Sequence, residues 1–206
     1  MKILSQILTV VAFATTLLFS CGPKKTEEAT GLAALTQLAD KMQNGSDKVN
    51  ERRAKGDTLA LPYAELEKML PASVGSYAKD GDPKGESMNM MGQSFSTASQ
   101  NYKNGEQTLK VTVVDYNGVY SLLTGATAMM AMGFSVDNEE ERIGPLKLGL
   151  DGVKGWEEFK KKSKQATVTM TVADRFLVTA EAENQENTDF VKDVVKSLDM
   201  AKLGGM

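Results

Sequence analysis

SFSTASQNYKNGEQTLKVTV, residues 94–113, is the stretch that decides the fold. From Ser94 to Tyr102 the residues alternate, with Phe95, Thr97 and Ser99 on one face. Beyond the turn, Leu109, Val111 and Val113 alternate with Lys110 and Thr112. A period of two is the signature of a strand with one buried face. Between the runs stands Asn104-Gly105, and an Asn-Gly pair is the strongest short hairpin signal, because both central residues of the turn need positive φ. The stretch therefore predicts an antiparallel hairpin, the seed of an antiparallel sheet.

Downstream, Asn117-Gly118 breaks the second strand, and Val119 to Phe134 (VYSLLTGATAMMAMGF) reads as a mostly apolar helix weakened by Gly125 and Gly133. A β region follows at Leu146–Leu150, then a turn at Asp151-Gly152 and a run from Trp156 to Lys162. Thr167–Val172 and Phe176–Glu181 predict a second hairpin about Ala173-Asp174. The last helix spans Thr188 to Leu198, with Thr188 as its cap and Phe190, Val191, Val194, Val195 and Leu198 as its apolar stripe. Upstream, Pro62 opens a short helix, Tyr63 to Leu70, which Pro71 closes. Asp80-Gly81-Asp82-Pro83 marks a turn.

This order predicts the α+β class: an antiparallel sheet built from hairpins, with helices packed on one face. The sheet domain spans residues 58–206. Before it, Leu32, Leu35, Leu38 and Met42 recur at helical spacing within an N-terminal helical segment, residues 31–57. Gly22 to Thr30 (GPKKTEEAT), within residues 21–30, is polar and charged and reads as a flexible tether. The 206 residues are 41% hydrophobic, enough for a real core, so global disorder is not expected.

Composition removes whole classes of chemistry. The chain has no histidine and a single cysteine. Zinc sites of the Cys/His kind, histidine-based triads, CxxC redox motifs and disulfide staples are therefore excluded. A formal net charge of −3 argues against a nucleic-acid surface, which is normally strongly basic. No cofactor is expected, and an enzyme is not the favoured reading. The alternative from that class is an envelope hydrolase or transferase using carboxylates such as Asp115, Asp151 or Asp174.

The one cysteine has its own context. Lys2 gives a short positive start, Ile7 to Phe19 an uncharged apolar segment, and small Ser20 precedes Cys21. Those are the parts of a secretory signal, and the run is too short for the roughly 20 apolar residues that span a bilayer. Leu18-Phe19-Ser20-Cys21 resembles the lipobox of bacterial lipoproteins. The resemblance implies cleavage between Ser20 and Cys21, removal of residues 1–20 as a signal peptide, and lipid attachment at Cys21. It further implies a palmitate-like acyl anchor on the outer face of a membrane, since several chains together make such an anchor stable. Gly22 in place of an aspartate favours the outer membrane in a Gram-negative host. Lys24-Lys25-Thr26-Glu27-Glu28 and Asp57-Thr58-Leu59 resemble, respectively, the surface-export signal and the O-glycosylation acceptor of Bacteroidetes lipoproteins.

Other constellations carry a sharp and a plain reading each. Trp156 and Phe159 beside Lys160, Lys161 and Lys162 suggest a membrane-surface patch; lysines guarding an edge strand explain the same residues. Met88, Met90, Met91, Met129, Met130 and Met132 offer soft thioethers to Cu(I), but methionine is also an ordinary core filler. Asp137, Glu139, Glu140 and Glu141 lack the spacing of a calcium loop and read as a solvated loop. Gly144, Gly149, Gly152 and Gly155 match no phosphate-binding pattern and read as turns. The expectation is a lipid-anchored binding or structural module whose partner is an envelope protein or a small apolar ligand.

Overall fold

The computed structural model describes residues 36, 40, 43, 47, 49–90, 93–117, 134–150 and 153–199. All of them fall within one compact unit, Thr36–Met206. In chain order the elements are α1 (Tyr63–Glu67), β1 (Ser73–Val74), β2 (Tyr77–Lys79), β3 (Lys84–Met90), β4 (Gln93–Asn104) and β5 (Gln107–Asp115). They continue with β6 (Val136–Asp137), β7 (Glu141–Pro145), β8 (Lys154–Lys160), β9 (Gln165–Val172), β10 (Phe176–Ala182) and α2 (Asp189–Ser197). Residues 49–54 are helical too. The expected signal peptide and tether, the leading part of the expected N-terminal helical segment, the 119–133 stretch and the expected turn at Asp151-Gly152 lie outside the described residues.

Among the described residues, ten strands form one open sheet in the order β1-β2-β4-β5-β10-β9-β8-β7-β6, and β3 pairs with the first part of β4. Every pairing is antiparallel. The fold is thus sheet-rich, with few helices. β10, the last strand, lies between β5 and β9, so the chain closes its centre only after all the other strands exist.

Both hairpins form. In the first, Asn104 pairs with Gln107, so the loop residues are Gly105 and Glu106, one position later than expected. Gly105 has φ +60°, and no other residue of that loop takes positive φ. This is the glycine-first arrangement of a two-residue hairpin, in which only the first central residue needs the left-handed region. In the second, Val172 pairs with Phe176 across a three-residue loop, with Ala173 at φ +55° and Asp174 at φ +50°.

The core follows the two-residue period. Val111 and Val113 of β5, Val178 and Ala180 of β10, and Val168 and Met170 of β9 stand in register and are buried. Leu66 of α1 and Val191, Val194 and Val195 of α2 belong to the same core cluster. α1 contacts β3, β4 and β5, whereas α2 contacts β9 and β10. Tyr77 stacks on Phe190 with ring centroids 4.9 Å apart, tying β2 to the start of α2.

Some local expectations need correction. Phe95, Thr97 and Ser99 do share one face of β4, but it is the half-buried one; the buried face carries Ser94, Ser96, Ala98, Gln100 and Tyr102. α1 stops at Glu67 rather than Leu70. Leu146 to Leu150 is irregular, and the strand in that region is β7, which starts inside the acidic run at Glu141. Thr188 stands at the N-cap of α2 without capping it; its hydroxyl donates to the Glu157 carboxylate instead. Gly155 is no turn residue: it lies in β8, where a Cβ would come within 2.1 Å of the Thr169 carbonyl oxygen. Bare backbone there lets β8 and β9 approach closely.

Candidate functional site

β5 ends in a buried ionic clasp. Asp115, 0% exposed, accepts hydrogen bonds from Arg175 Nε at 3.0 and 3.1 Å and from Arg175 Nη2 at 2.8 Å. The backbone N–H groups of Leu61 and Asn117 each donate to the same carboxylate at 2.9 Å. Arg175 comes from the β9–β10 turn, and its Nη1 donates to Asp57 at 2.8 Å. Its Cζ also lies 5.2 Å from the ring centroid of the neighbouring Phe176. Burial by itself would lower the guanidinium pKa, but the hydrogen bonds and charge of Asp115, then the charge of Asp57, outweigh it and raise the value.

Around the clasp, the polar side chains of β4 fasten the chain that crosses above them. Ser94 Oγ accepts from the Ala60 N–H at 2.6 Å, and Ser87 and Ser96 share a hydroxyl contact at 2.8 Å. Gln100 Nε2 donates to the Gly81 and Asn101 carbonyls. Tyr102 donates to the Pro71 carbonyl at 2.7 Å, and burial pushes its phenol up to about 12. These contacts explain why a strand of serines and glutamine can face inward: the Ser94 and Ser96 hydroxyls, the Gln100 amide N–H groups and the Tyr102 phenol each meet a backbone or side-chain partner, while Gln100 Oε1 has none among the described residues.

Beside this polar corner lies a cleft of about 440 Å³. Met69, Leu70, Pro71 and Ala72, from the turn after α1, form one wall; Ser197, Leu198 and Asp199, at the end of α2, form the other. Val113 of β5 provides the floor, and Lys68 stands at the rim. The volume falls within the roughly 300–1,000 Å³ of small-molecule sites, and the lining mixes apolar side chains with the polar groups of Lys68, Ser197 and Asp199. A second, smaller cavity of about 320 Å³ lies among β6, β7 and the start of α2, and is lined by charged Asp137, Arg142, Lys147 and Glu157 among others.

Ser20 and Cys21, the expected cleavage and lipid-attachment residues, lie outside the described residues. Trp156 and Phe159 stand three apart on β8 and so point to opposite faces of the sheet; Phe159 is buried in the core. β8 is an interior strand between β7 and β9, which corrects the edge-strand reading. The lysines are engaged with acids: Lys161 with Asp137 at 2.6 Å, Lys162 with Glu140 at 2.9 Å and Lys160 with Glu158 at 3.7 Å. The five residues therefore do not share one surface. Asp137 is held below the usual carboxylate range by the hydrogen bond and charge of Lys161.

Of the three carboxylates weighed for catalysis, Asp115 is occupied in the clasp, Asp174 lies 4.0 Å from Lys154, and Asp151 is outside the described residues. Glu140 and Glu141 donate their backbone N–H groups to Asn138 Oδ1, so the acidic run is a tight turn into β7. Among the described residues, no group of three or more carboxylates is placed to hold a metal ion. Met88 lies on β3, 39% exposed; Met91, Met129, Met130 and Met132 are outside the described residues.

Sequence reasoning missed the clasp, because its ion pairs join residues 60 and 118 positions apart. The one usable signal was an arginine in a turn flanked by core strands. No protein family, curated protein or solved structure matches the chain.

Proposed function

We propose that this chain is a lipid-anchored cell-envelope lipoprotein whose sheet domain binds a small apolar ligand in the cleft between α1 and α2. In this reading both helices cover the same face of the sheet, and the cleft is the gap they leave over Val113. The observation that carries the binding role is that cleft of about 440 Å³, with Met69, Leu70, Pro71, Ala72 and Leu198 along its walls. The anchor rests on Leu18-Phe19-Ser20-Cys21 after an apolar run. Lipid on Cys21 holds the domain at the outer face of a membrane, the outer membrane in a Gram-negative host, and residues 22–30 give it reach.

Two experiments test the two halves separately. Growth with a labelled fatty acid marks the wild-type protein and leaves Cys21→Ser unlabelled; an unlabelled wild type removes the anchor. For the cleft, an apolar fluorophore binds the wild-type protein, and Ala72→Trp, which fills the space from an exposed rim position, abolishes that binding. Equal binding by a correctly folded Ala72→Trp protein refutes the site. Among the described residues no helix is long and apolar enough to cross a membrane.

A further inference from the structure

Two buried polar atoms at the corner where residues 49–54 meet the end of β5 have no hydrogen-bond partner among the described residues: Arg52 Nε, a donor, and Asn117 Oδ1, an acceptor. Asn117 is 1% exposed, and the rest of its polar groups are in use. Its backbone N–H donates to Asp115, its carbonyl accepts from Arg52 Nη2 at 2.9 Å, and its Nδ2 faces Asp57 Oδ1 at 3.5 Å. That last contact fixes the amide orientation, since the flipped amide would set two acceptor oxygens against each other. Arg52 Nε is 3.9 Å from Asp57 Oδ2, too long for a hydrogen bond and the kind of gap that a bridging water spans.

The chemistry of an occupant follows from these groups. It accepts one hydrogen bond, donates at least one, and is small. It is also neutral, because two arginines (Arg52, Arg175) already balance two aspartates (Asp57, Asp115), and an ion would leave a buried charge uncompensated. We propose that one internal water occupies this corner, accepting from Arg52 Nε and donating to Asn117 Oδ1, with the Asp57 carboxylate beside it as third partner. Buried waters of this kind make about three hydrogen bonds to groups that would otherwise be orphaned. This water completes the clasp, joining residues 52–57 to the end of β5 as Asp115 joins Leu61.

A high-resolution crystal structure of the full chain, beside that of Asn117→Gly, tests the assignment. Glycine suits the positive φ of +29° at this position and removes Oδ1 without straining the backbone. The expected result is a single-oxygen density peak within hydrogen-bond distance of both atoms in the wild type, lost in Asn117→Gly. An empty corner, a direct bond between Arg52 Nε and Asn117 Oδ1, or density larger than one oxygen overturns the proposal. The wild-type density decides the matter even if Asn117→Gly does not fold.

Discussion

Replacing Asp115 by alanine is the sharpest test of what holds this fold together. The substitution removes the carboxylate that takes three contacts from Arg175 and two from backbone N–H groups. Arg175, its side chain 5% exposed, is left with only Asp57 opposite, itself 31% exposed. Breaking one side of a buried ion pair costs about 3–5 kcal/mol, because the surviving charge stays desolvated. The two stranded N–H groups keep the loss at the upper end of that range, each being costly to bury unpaired. Against a typical domain stability of about 5–15 kcal/mol, this is a large fraction. Urea unfolding followed by the fluorescence of Trp156, the single tryptophan, reads it directly. With a slope of about 1–3 kcal/mol per molar urea, a loss of about 5 kcal/mol lowers the midpoint by about 2–5 M.

The double variant separates mechanism from mere loss of volume. Arg175→Met alone leaves a buried carboxylate that still holds Leu61 and Asn117, so it too destabilises. Combining it with Asp115→Ala removes both charges, and the double loss is smaller than the sum of the single losses by about 2 kcal/mol or more. It does not return to wild type, because the two N–H groups stay unpaired. Strict additivity, or a single-variant loss under about 1 kcal/mol, refutes the clasp as an energetic unit.

Three further outcomes are expected. The phenol of Tyr102 rises from 10.0 to about 12 on folding, so the folded state favours the neutral form; stability is unaffected by this group below pH 10 and falls between pH 10 and about 12. Tyr102→Phe removes that group's share of the alkaline slope, up to about 1.4 kcal/mol per pH unit, while losing about 1 kcal/mol at neutral pH with the hydrogen bond to Pro71; identical alkaline slopes in the two proteins contradict this. Gly155→Ala forces a Cβ to within 2.1 Å of the Thr169 oxygen and 2.8 Å of Met170 Cα, both backbone atoms of the neighbouring strand. The expected loss is about 1–3 kcal/mol, and an unchanged urea midpoint counts against the close β8–β9 approach. Ala173→Gly relieves an exposed L-residue at φ +55°; left-handed strain of about 1–2 kcal/mol outweighs the entropy cost of glycine, so the midpoint rises slightly, and a fall shows that the turn does not hold this conformation.

The period-two runs at 94–102 and 109–113 announced a hairpin because alternation and turn chemistry are local properties, read within a few residues. The second hairpin and α2 were legible for the same reason: Thr167–Val172 and Phe176–Glu181 alternate, and Val191, Val194 and Val195 follow the helical period. The turn of the first hairpin slipped by one residue, since Asn104 and Gly105 can each occupy more than one loop position. The inward face of β4 was not legible either. Serine and glutamine read as solvent-facing until Ala60, Gly81 and Ser87 are known to meet them.

What the sequence determined by itself was local: alternation, turns, an amphipathic last helix, and the expectation of a lipid anchor at Cys21. Only the tertiary structure decided that β10 enters between β5 and β9, which brings Arg175 to Asp115 across 60 residues of chain. It alone placed Asp57 at the same guanidinium and set the turn after α1 opposite the end of α2 to leave a cleft. The reason is physical. Periodicity records which face of a strand is buried, but the partner of a buried charge is chosen by strand order, and strand order is a property of long-range packing that no local window contains.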